Sequence, residues 1–489
     1  MKLNKISFII SGAIIMLVAP SCKKYLDQAP DNRAEINTVD KVAQLVSTAY
    51  PTYDYLTFTE FSSDNAEDKG VGIGSTDDVV DLPYAWRDVI GDGTNTSTQY
   101  WNGCYEAIAA ANQALEAIEN QDLGPAVLKY KGEALVARAY AHFMLVTLFA
   151  KTYEKGGANN SPGIPYITAP ETKVIVQYQR GTVQSTYDAI EKDLLEGLKL
   201  VSASGYTAPK FHFTPAAANA FAARFYLFKG DWQKVVDYAT LTVPGNDFIN
   251  NIRPISSTIR TYTAEEHRTN YMTSGQKYNL LLINCYSTYA RFSTPRHGFG
   301  VNNLKMFSAA GNVTGKGLAN QNLSYGVPNY TAYKFKEFFF YTGPGIGYPY
   351  LTFAGFTTDE ALLNRAEAYA ELGMTALAYK DLNDLYSTRI TNYNPTNDVI
   401  TPAKIAAFYP SITDPKEGLI RAILDAKKSQ FLQEGLRWFD ILRRKITVVH
   451  NNFDAVGLET FAELKADDPR RVFQLPLEVK LSGLELNPR

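Results

Sequence analysis

Two pairs of adjacent carboxylates are the side chains of this sequence that could support acid–base catalysis. Asp77-Asp78 and Glu265-Glu266 would suit glycoside hydrolysis, which needs two carboxyl groups about 5 to 10 Å apart. Adjacency in the sequence does not establish that geometry, and carboxylates in a solvated loop explain both pairs more simply. A surface glycosidase is therefore the least favoured hypothesis. The same acids could hold calcium, but the spacing of an EF-hand loop is absent.

Other catalytic and metal-binding patterns are missing from the sequence. None of the five histidines stands in an HExxH or paired metal-ligand spacing, and no Gly-x-Ser-x-Gly elbow is present. His142 lies in a helical pattern and is predicted to be a core residue with satisfied hydrogen bonds. We therefore expect no catalytic residues, no metal site and no cofactor.

Aromatic side chains in two segments without helical periodicity form the favoured candidate binding site. Their ring faces can lie against the C–H groups of a sugar or against a peptide, while nearby polar groups fix the orientation. The segments are residues 52–97, with acidic and glycine-rich clusters, and the insertion at about 246–355. For each ring, burial against the helices remains an equally good alternative. The candidate ligand-binding residues are Tyr84, Trp86, Arg87 and Asp78 in the first segment, and Arg296, Tyr330, Tyr348 and Tyr350 in the second.

A helix pair at residues 211–243 must help to position these segments. Thr214 and Pro215 are typical of a helix start, Gly230-Asp231 ends that helix, and a second begins at Trp232. The apolar residues of the first helix recur at helical spacing. This pattern resembles a tetratricopeptide repeat, although an ordinary helical hairpin in a mixed fold remains an alternative.

The same pattern recurs near residues 359–386, and a recurring pattern is better support for a repeat than a single one. The places of Ala223, Tyr226, Gly230, Val235 and Ala239 are taken there by Ala366, Tyr369, Gly373, Ala378 and Leu382. The rings Phe221, Phe225 and Trp232 of the first pair, together with Trp101 and Trp438, are assigned to packing.

The remaining periodicity predicts a mostly α fold. Helices are expected at about 39–49, 100–120, 125–150, 182–201 and from 417 through 443, and one strand at 278–286. The helical scaffold then covers about 39–243 and 359–450. We predict a tetratricopeptide-like scaffold of helix pairs with long irregular loop insertions and a few short strands, in a single domain of residues 22–489.

The first residues are predicted to be a signal peptide, residues 1–21, rather than part of the fold. Lys2 and Lys5 precede an apolar stretch at 6–18 and a small-residue cleavage segment. The following Cys22 completes a loose lipobox and is the predicted lipid anchor, with a plain secreted protein as the alternative. Cys104 and Cys285 could pair in an oxidising compartment or remain buried thiols. A net charge of -2 and a pI near 6.3 exclude a basic nucleic-acid-binding surface.

The order of these motifs resembles the SusD/RagB family of Bacteroidota outer-membrane lipoproteins. The resemblance is carried by Cys22, Lys24-Tyr25-Leu26-Asp27, residues 132–140 (GEALVARAY), the two helix pairs, residues 434–443 (EGLRWFDILR), Leu475-Pro476-Leu477-Glu478 and Asn487-Pro488. It implies a non-catalytic lipoprotein anchored in the outer membrane and facing the cell surface. Such a protein captures nutrients, most often oligosaccharides and in some branches peptides, and caps a SusC-like TonB-dependent outer-membrane transporter.

Overall fold

The computed structural model describes residues 36–173, 175–320 and 322–489, so the predicted signal peptide and Cys22 lie outside the described residues. Most of the regular structure is helical. The helices are α1 Val39–Val46, α2 Leu56–Ser62, α3 Asp78–Tyr84, α4 Ser97–Asn120, α5 Leu128–Phe149, α6 Val183–Leu198, α7 Pro215–Lys229, α8 Trp232–Thr240, α9 Ala264–Asn270, α10 Val301–Leu304, α11 Thr358–Glu371, α12 Thr375–Ser387, α13 Pro402–Phe408, α14 Pro415–Gln430 and α15 Arg437–Arg443. The predicted mostly α fold is confirmed.

The two predicted helix pairs are α7–α8 and α11–α12. The side chain of Thr214 accepts a hydrogen bond from the backbone of Ala217, and Pro215 is the first residue of α7. Gly230 and Gly373 each adopt a left-handed conformation, with φ of 67° and 73°, that ends the first helix of its pair. α8 also packs against α11, so the two pairs lie next to each other. Helices α4, α5 and α6 pack in the same sequential way.

The core is formed mainly by helix faces that meet aromatic rings. Phe221 and Phe225 are buried, as are Trp101 and Trp438, while Trp232 is half-buried against the same core. His142 is buried, with its Nδ1 atom 2.8 Å from the carbonyl of Arg138 and its Nε2 atom accepting from the backbone of Ile167. The packing roles predicted for these side chains are confirmed.

Two parts of the sequence-based prediction are wrong. Residues 52–97 are not one long loop, because they contain α2, α3 and a short strand, elements too short to show a sustained helical period. The helix expected from 417 through 443 is broken between α14 and α15. Gln433 and Gly435 have φ of 62° and 70° there, which a continuous right-handed helix does not allow.

The structure contains nine strands among the described residues, and the sequence predicted only one of them. The strands are β1 Glu67–Asp68, β2 Asn279–Tyr286, β3 His297–Gly298, β4 Asn322–Ser324, β5 Tyr330–Ala332, β6 Glu337–Gly343, β7 Ile346–Thr357, β8 Val448–Phe453 and β9 Glu459–Leu464. β2 is the predicted strand. It forms an antiparallel sheet in the order β2–β7–β6, and β8 and β9 form a separate hairpin.

Cys104 and Cys285 are buried free thiols. Across the described ranges, no helix is both long and apolar enough to cross a membrane.

Candidate functional site

An exposed set of rings covers the outer side of the β2–β7–β6 sheet. Side chains alternate between the two faces of a strand, and directly paired residues share a face. Phe338 pairs with Tyr350, and Phe340 with Tyr348. Tyr350 in turn pairs with Tyr286 of β2. These five rings, Tyr286, Phe338, Phe340, Tyr348 and Tyr350, are called the aromatic face.

The two sides of this sheet differ in exposure near the helical scaffold, whereas at the β6–β7 hairpin both are exposed, since Phe339 (36%) and Tyr341 (66%) lie on the side opposite Phe338 and Phe340. Leu351, Phe353 and Cys285 point inward and are buried. On the aromatic face, Phe338 is 52%, Phe340 63% and Tyr348 50% exposed. Large rings that remain exposed side by side are typical of a surface that binds something.

Contacts between the rings hold part of the aromatic face in a fixed arrangement. The ring centroid of Tyr286 lies 5.6 Å from that of Tyr348 and 6.0 Å from that of Tyr350, both at steep angles. Tyr53 meets Tyr286 from the other side at 6.1 Å. Such edge-to-face contacts orient the rings before any ligand arrives, which lowers the entropy lost on binding.

A polar cavity of about 140 Å³ lies beside the start of β6. We call it the arginine pocket and define it by Arg268, Arg291, Tyr325, Tyr333 and Phe335. The guanidinium of Arg268 lies 4.9 Å from the ring centroid of Tyr333. The hydroxyl groups of Tyr325 and Tyr333 are hydrogen-bonded to each other. Guanidinium and hydroxyl groups there are suited to the hydroxyl groups of a ligand.

One ion pair connects the arginine pocket to the first residue of β6. Arg291 donates from Nε and Nη2 to the two oxygens of Glu337, at 2.6 and 2.9 Å. The hydrogen bonds to Glu337 raise the pKa of Arg291, so its guanidinium stays protonated. Glu337 is the first residue of β6 and immediately precedes Phe338. Glu337 pairs with Leu351 and so lies on the opposite side of the sheet from Phe338, which makes the pocket a neighbour of the aromatic face and not an extension of it.

Three of the four acidic residues considered for catalysis, Asp77, Glu265 and Glu266, have structural roles. Asp77 caps α3 by accepting from the backbone of Val79 at 3.1 Å. Glu265 is paired with Arg268 and Lys336. Glu266 closes a capping box with Thr263 at the start of α9. Hydrogen bonds to these two glutamates lower the pKa of each. Within the described residues, no group of three or more His, Cys, Asp or Glu side chains could hold a metal ion.

The structure buries two of the predicted ligand-binding rings. Tyr84 is stacked between His297 and His450, with centroids 4.2 and 4.1 Å away. Trp86 is only 7% exposed, lies 4.5 Å from His450 and donates from Nε1 to the carbonyl of Ser62 at 3.0 Å. Of the two alternatives that the sequence left open for these rings, the structure shows burial, because α3 and the turn after it pack them against β8.

Arg296 also serves an internal contact. It donates to both carboxylate oxygens of Asp68, at 2.8 and 2.7 Å, and to the carbonyl of Phe453. Burial raises the pKa of Asp68, but hydrogen bonds led by those from Arg296 bring it below its usual value. The backbone N–H of Asp68 donates to the hydroxyl of Tyr84 at 2.8 Å. Arg296 and Tyr84 are thus brought together by packing around Asp68.

The other predicted residues remain accessible to different degrees. Asp78 in the first turn of α3 and Arg87 after its end are exposed. Tyr330 is half-buried on β5, with its ring 5.9 Å from that of Phe299. Tyr348 and Tyr350 are the only two of the eight predicted residues that the structure places in the aromatic face.

Sequence reasoning missed most of this candidate site. Phe338 and Phe340 lie on β6, while Tyr286, Arg268 and Arg291 come from elsewhere in the insertion. The signal for the hairpin was present in residues 337–353, EFFFYTGPGIGYPYLTF, where two aromatic-rich runs flank a glycine–proline turn. No comparable pattern marks the two arginines.

Comparison with known proteins supports the fold found here. No curated protein matches the sequence significantly. Among solved structures, a SusD superfamily protein from Bacteroides vulgatus ATCC 8482 superposes with a TM-score of 0.68 at 20% identity, covering 92% of this chain and 99% of the other. A SusD-like carbohydrate binding protein from the same strain gives 0.62 at 13% identity, with coverages of 91% and 96%. A laminarin binding SusD-like protein gives 0.63 at 15% identity, with coverages of 92% and 98%.

Two family models match different parts of the sequence. A SusD-like model described as starch-binding and associating with the outer membrane matches residues 24–227. A second model, described as the SusD family, matches residues 357–468. Together they cover most of α7 and all of the second helix pair, and the three solved structures share the overall fold. The chain belongs to the SusD/RagB family.

Proposed function

We propose that this protein is a non-catalytic lipoprotein of the outer membrane that binds oligosaccharides at the cell surface and delivers them to a SusC-like TonB-dependent transporter. The observation that carries the binding role is the aromatic face, a row of exposed rings beside a polar pocket. Family membership supports the glycan ligand, since the matching models include one described as starch-binding. Cys22 after the predicted signal peptide supports the lipid anchor.

Binding would combine ring contacts with hydrogen bonds. The C–H faces of a sugar would lie against Phe340 and Tyr348, which pair across the strands and are 63% and 50% exposed. The hydroxyl groups of Tyr348 and Tyr350 and the guanidinium of Arg291 can bond to sugar hydroxyls at the ends of the face. An open site of this kind has a dissociation constant in the micromolar range or weaker. This corresponds to a binding free energy of about -8 kcal/mol, or a smaller one.

Calorimetry on the mature chain, residues 22–489, with a panel of neutral oligosaccharides tests this function. For a glycan that binds, replacing both Phe340 and Tyr348 with Ala should weaken binding by about tenfold or more, since each lost ring contact contributes about 1 kcal/mol. The control is Phe461→Ala, which removes an equally exposed ring from β9. Unchanged affinity in the double variant, or equal loss in the control, would show that the aromatic face is not the site.

Peptide capture is the second candidate function, and one feature favours it. β6 is an edge strand of the sheet, so an extended peptide could pair with its free backbone groups. The same calorimetry with a set of unstructured peptides separates the two functions. Peptide binding without glycan binding would replace the oligosaccharide by a peptide as the ligand.

A further inference from the structure

A second cavity, separate from the aromatic face, lies between α10 and α14. Its volume is about 230 Å³, well above the roughly 15 Å³ that one water molecule needs. We call it the basic pocket and define it by six of its lining residues, Asn302, Asn303, Lys305, Arg421, Asp425 and Lys428. Three of these side chains are cationic and one is a carboxylate, so the lining carries an excess of positive charge.

The carboxylate of the basic pocket is already satisfied by its neighbours. Asp425 accepts from Nε of Arg421, at 3.1 Å to each oxygen, and from the hydroxyl of Tyr409 at 2.8 Å. Arg421 and Asp425 are four residues apart on α14, which places them on one side of that helix. Asp425 therefore anchors Arg421 at the pocket and does not compete for a ligand.

Arg421 keeps the part of its guanidinium that recognises carboxylates. Only Nε is used in the pair with Asp425, and within the described residues its terminal nitrogens make no hydrogen bond. The side chain of Arg421 is 48% exposed even though it is paired with Asp425, so a ligand can reach it. Two parallel N–H donors match the two oxygens of a carboxylate, and such charge-assisted bonds are about twice as strong as neutral ones.

The two lysines preserve the positive charge of the basic pocket. Lys305 donates to the amide oxygen of Asn302 at 2.8 Å, a partner without charge. Lys428 donates to the backbone and side chain of Asp64, at 3.0 and 3.2 Å. Asp64 is shared with Arg437, which binds both of its oxygens. Neither lysine is therefore neutralised by a carboxylate of its own.

We infer that the basic pocket binds the carboxylate of an acidic saccharide unit, such as a uronic acid. The carboxylate would meet Arg421 and Lys305, and the side-chain amides of Asn302 and Asn303 would meet ring hydroxyls. This inference rests on the proposed function, because it takes the ligand to be a glycan. It adds a class of substrate, acidic glycans, and a site away from the aromatic face.

Ligand-observed NMR titrations on the mature chain with glucuronate, glucose and inorganic phosphate test the inference. Glucuronate should bind at least tenfold more tightly than glucose. Arg421→Gln should weaken glucuronate binding by roughly ten- to a hundredfold, the range for a lost charged hydrogen bond. Lys416→Gln is the matched control, since Lys416 is an exposed cation on the same helix outside the pocket. It should leave glucuronate binding unchanged.

Three results would overturn the inference. They are equal binding of glucuronate and glucose, unchanged binding in Arg421→Gln, and phosphate that binds as tightly as glucuronate and displaces it. The Phe340 and Tyr348 double variant keeps the two proposals apart. It should lose neutral oligosaccharides while retaining glucuronate, so failure of one site leaves the other result intact.

Discussion

The hydroxyl group of Tyr84 joins its own helix α3 to β1 and to β8, where its partner lies 367 residues further along the chain. It donates to the carbonyl of Asn451 at 2.6 Å and accepts from the backbone N–H of Asp68. Its ring fills the space between His297 and His450. Burial raises the pKa of Tyr84, so the hydroxyl stays protonated and can keep donating. This side chain therefore fastens β1 and β8 to the end of α3.

Replacing Tyr84 with Phe tests a packing role against a binding role. The ring remains, but the hydrogen bond to Asn451 is lost, so the free energy of unfolding should fall by about 1 kcal/mol. Oligosaccharide affinity should not change. Urea denaturation and calorimetry measure the two quantities. The control Tyr348→Phe removes a hydroxyl from a residue that is 50% exposed and should leave stability unchanged. A stable Tyr84→Phe variant that has lost ligand binding would return Tyr84 to the site.

The individual site residues could be predicted only in part. Tyr348 and Tyr350 were expected in an irregular insertion rich in glycine and proline, and the structure places both on one face of the strand β7. Tyr84 and Trp86 stand in an equally polar, glycine-rich context. What buries them is His450, which lies 366 residues beyond Tyr84. Local composition carries no information about so distant a partner.

At the scale of elements, Glu60 closes the turn between α14 and α15. Its carboxylate, on α2, accepts from the backbone N–H groups of Gln433 and Gly435, at 2.6 and 3.0 Å, and from the amide of Asn65. Burial raises the pKa of Glu60 from 4.5 to about 7 despite these hydrogen bonds. The folded protein therefore holds a proton there that the unfolded chain releases at lower pH.

The pH dependence of stability follows from the direction of this shift. The contribution of Glu60 is fully present below pH 4.5 and is lost as the pH rises through about 7. Between pH 5 and pH 8 it should lower the free energy of unfolding by on the order of 2 to 3 kcal/mol. Glu60→Gln cannot titrate, so this part of the decrease should disappear. Urea denaturation at the two pH values measures the difference. An identical decrease in the variant would contradict the assignment to Glu60.

Long helices could be predicted from the sequence, whereas breaks between helices and the positions of strands were harder to predict. α7 and α11 carry caps, terminal glycines and helical spacing, and each of these signals is local. The break after α14 depends on Glu60, which comes from the other end of the chain. β6 and β7 lie in a run rich in glycine and proline, and such composition favours the interpretation as irregular structure.

At the scale of the whole molecule, the sheet shares a hydrophobic core with α5 and α7, while most of the second helix pair packs in an adjoining core. Phe356 at the end of β7 packs against Tyr140 of α5 and Phe221 of α7. The guanidinium of Arg224 lies 4.1 Å from the ring of Phe356 and pairs with Glu360 of α11 at 2.6 Å. The sheet is therefore anchored to the scaffold at its inner end. Its outer end, with the aromatic face, is left in solvent.

The location of the whole protein depends on Cys22 in our proposal. With Cys22 replaced by Ala, no thiol remains at the predicted lipidation position, so the protein should move from the membrane fraction to the soluble fraction of the cells. Lys23→Ala is the control and should stay with the membrane. Cell fractionation measures membrane association, and protease digestion of intact cells measures exposure at the cell surface. A Cys22→Ala variant that still sediments with membranes would contradict the lipid anchor.

The free thiols of Cys104 and Cys285 have a practical consequence for studying this molecule. One lies in helix α4 and the other in strand β2, and both are buried. Burial raises the pKa of each, so neither thiol is ionised or reachable while its surroundings stay closed. A thiol reagent therefore labels each position only when that region opens. The chain thus carries two native reporters, one for the opening of the helical scaffold and one for the opening of the sheet that bears the exposed rings.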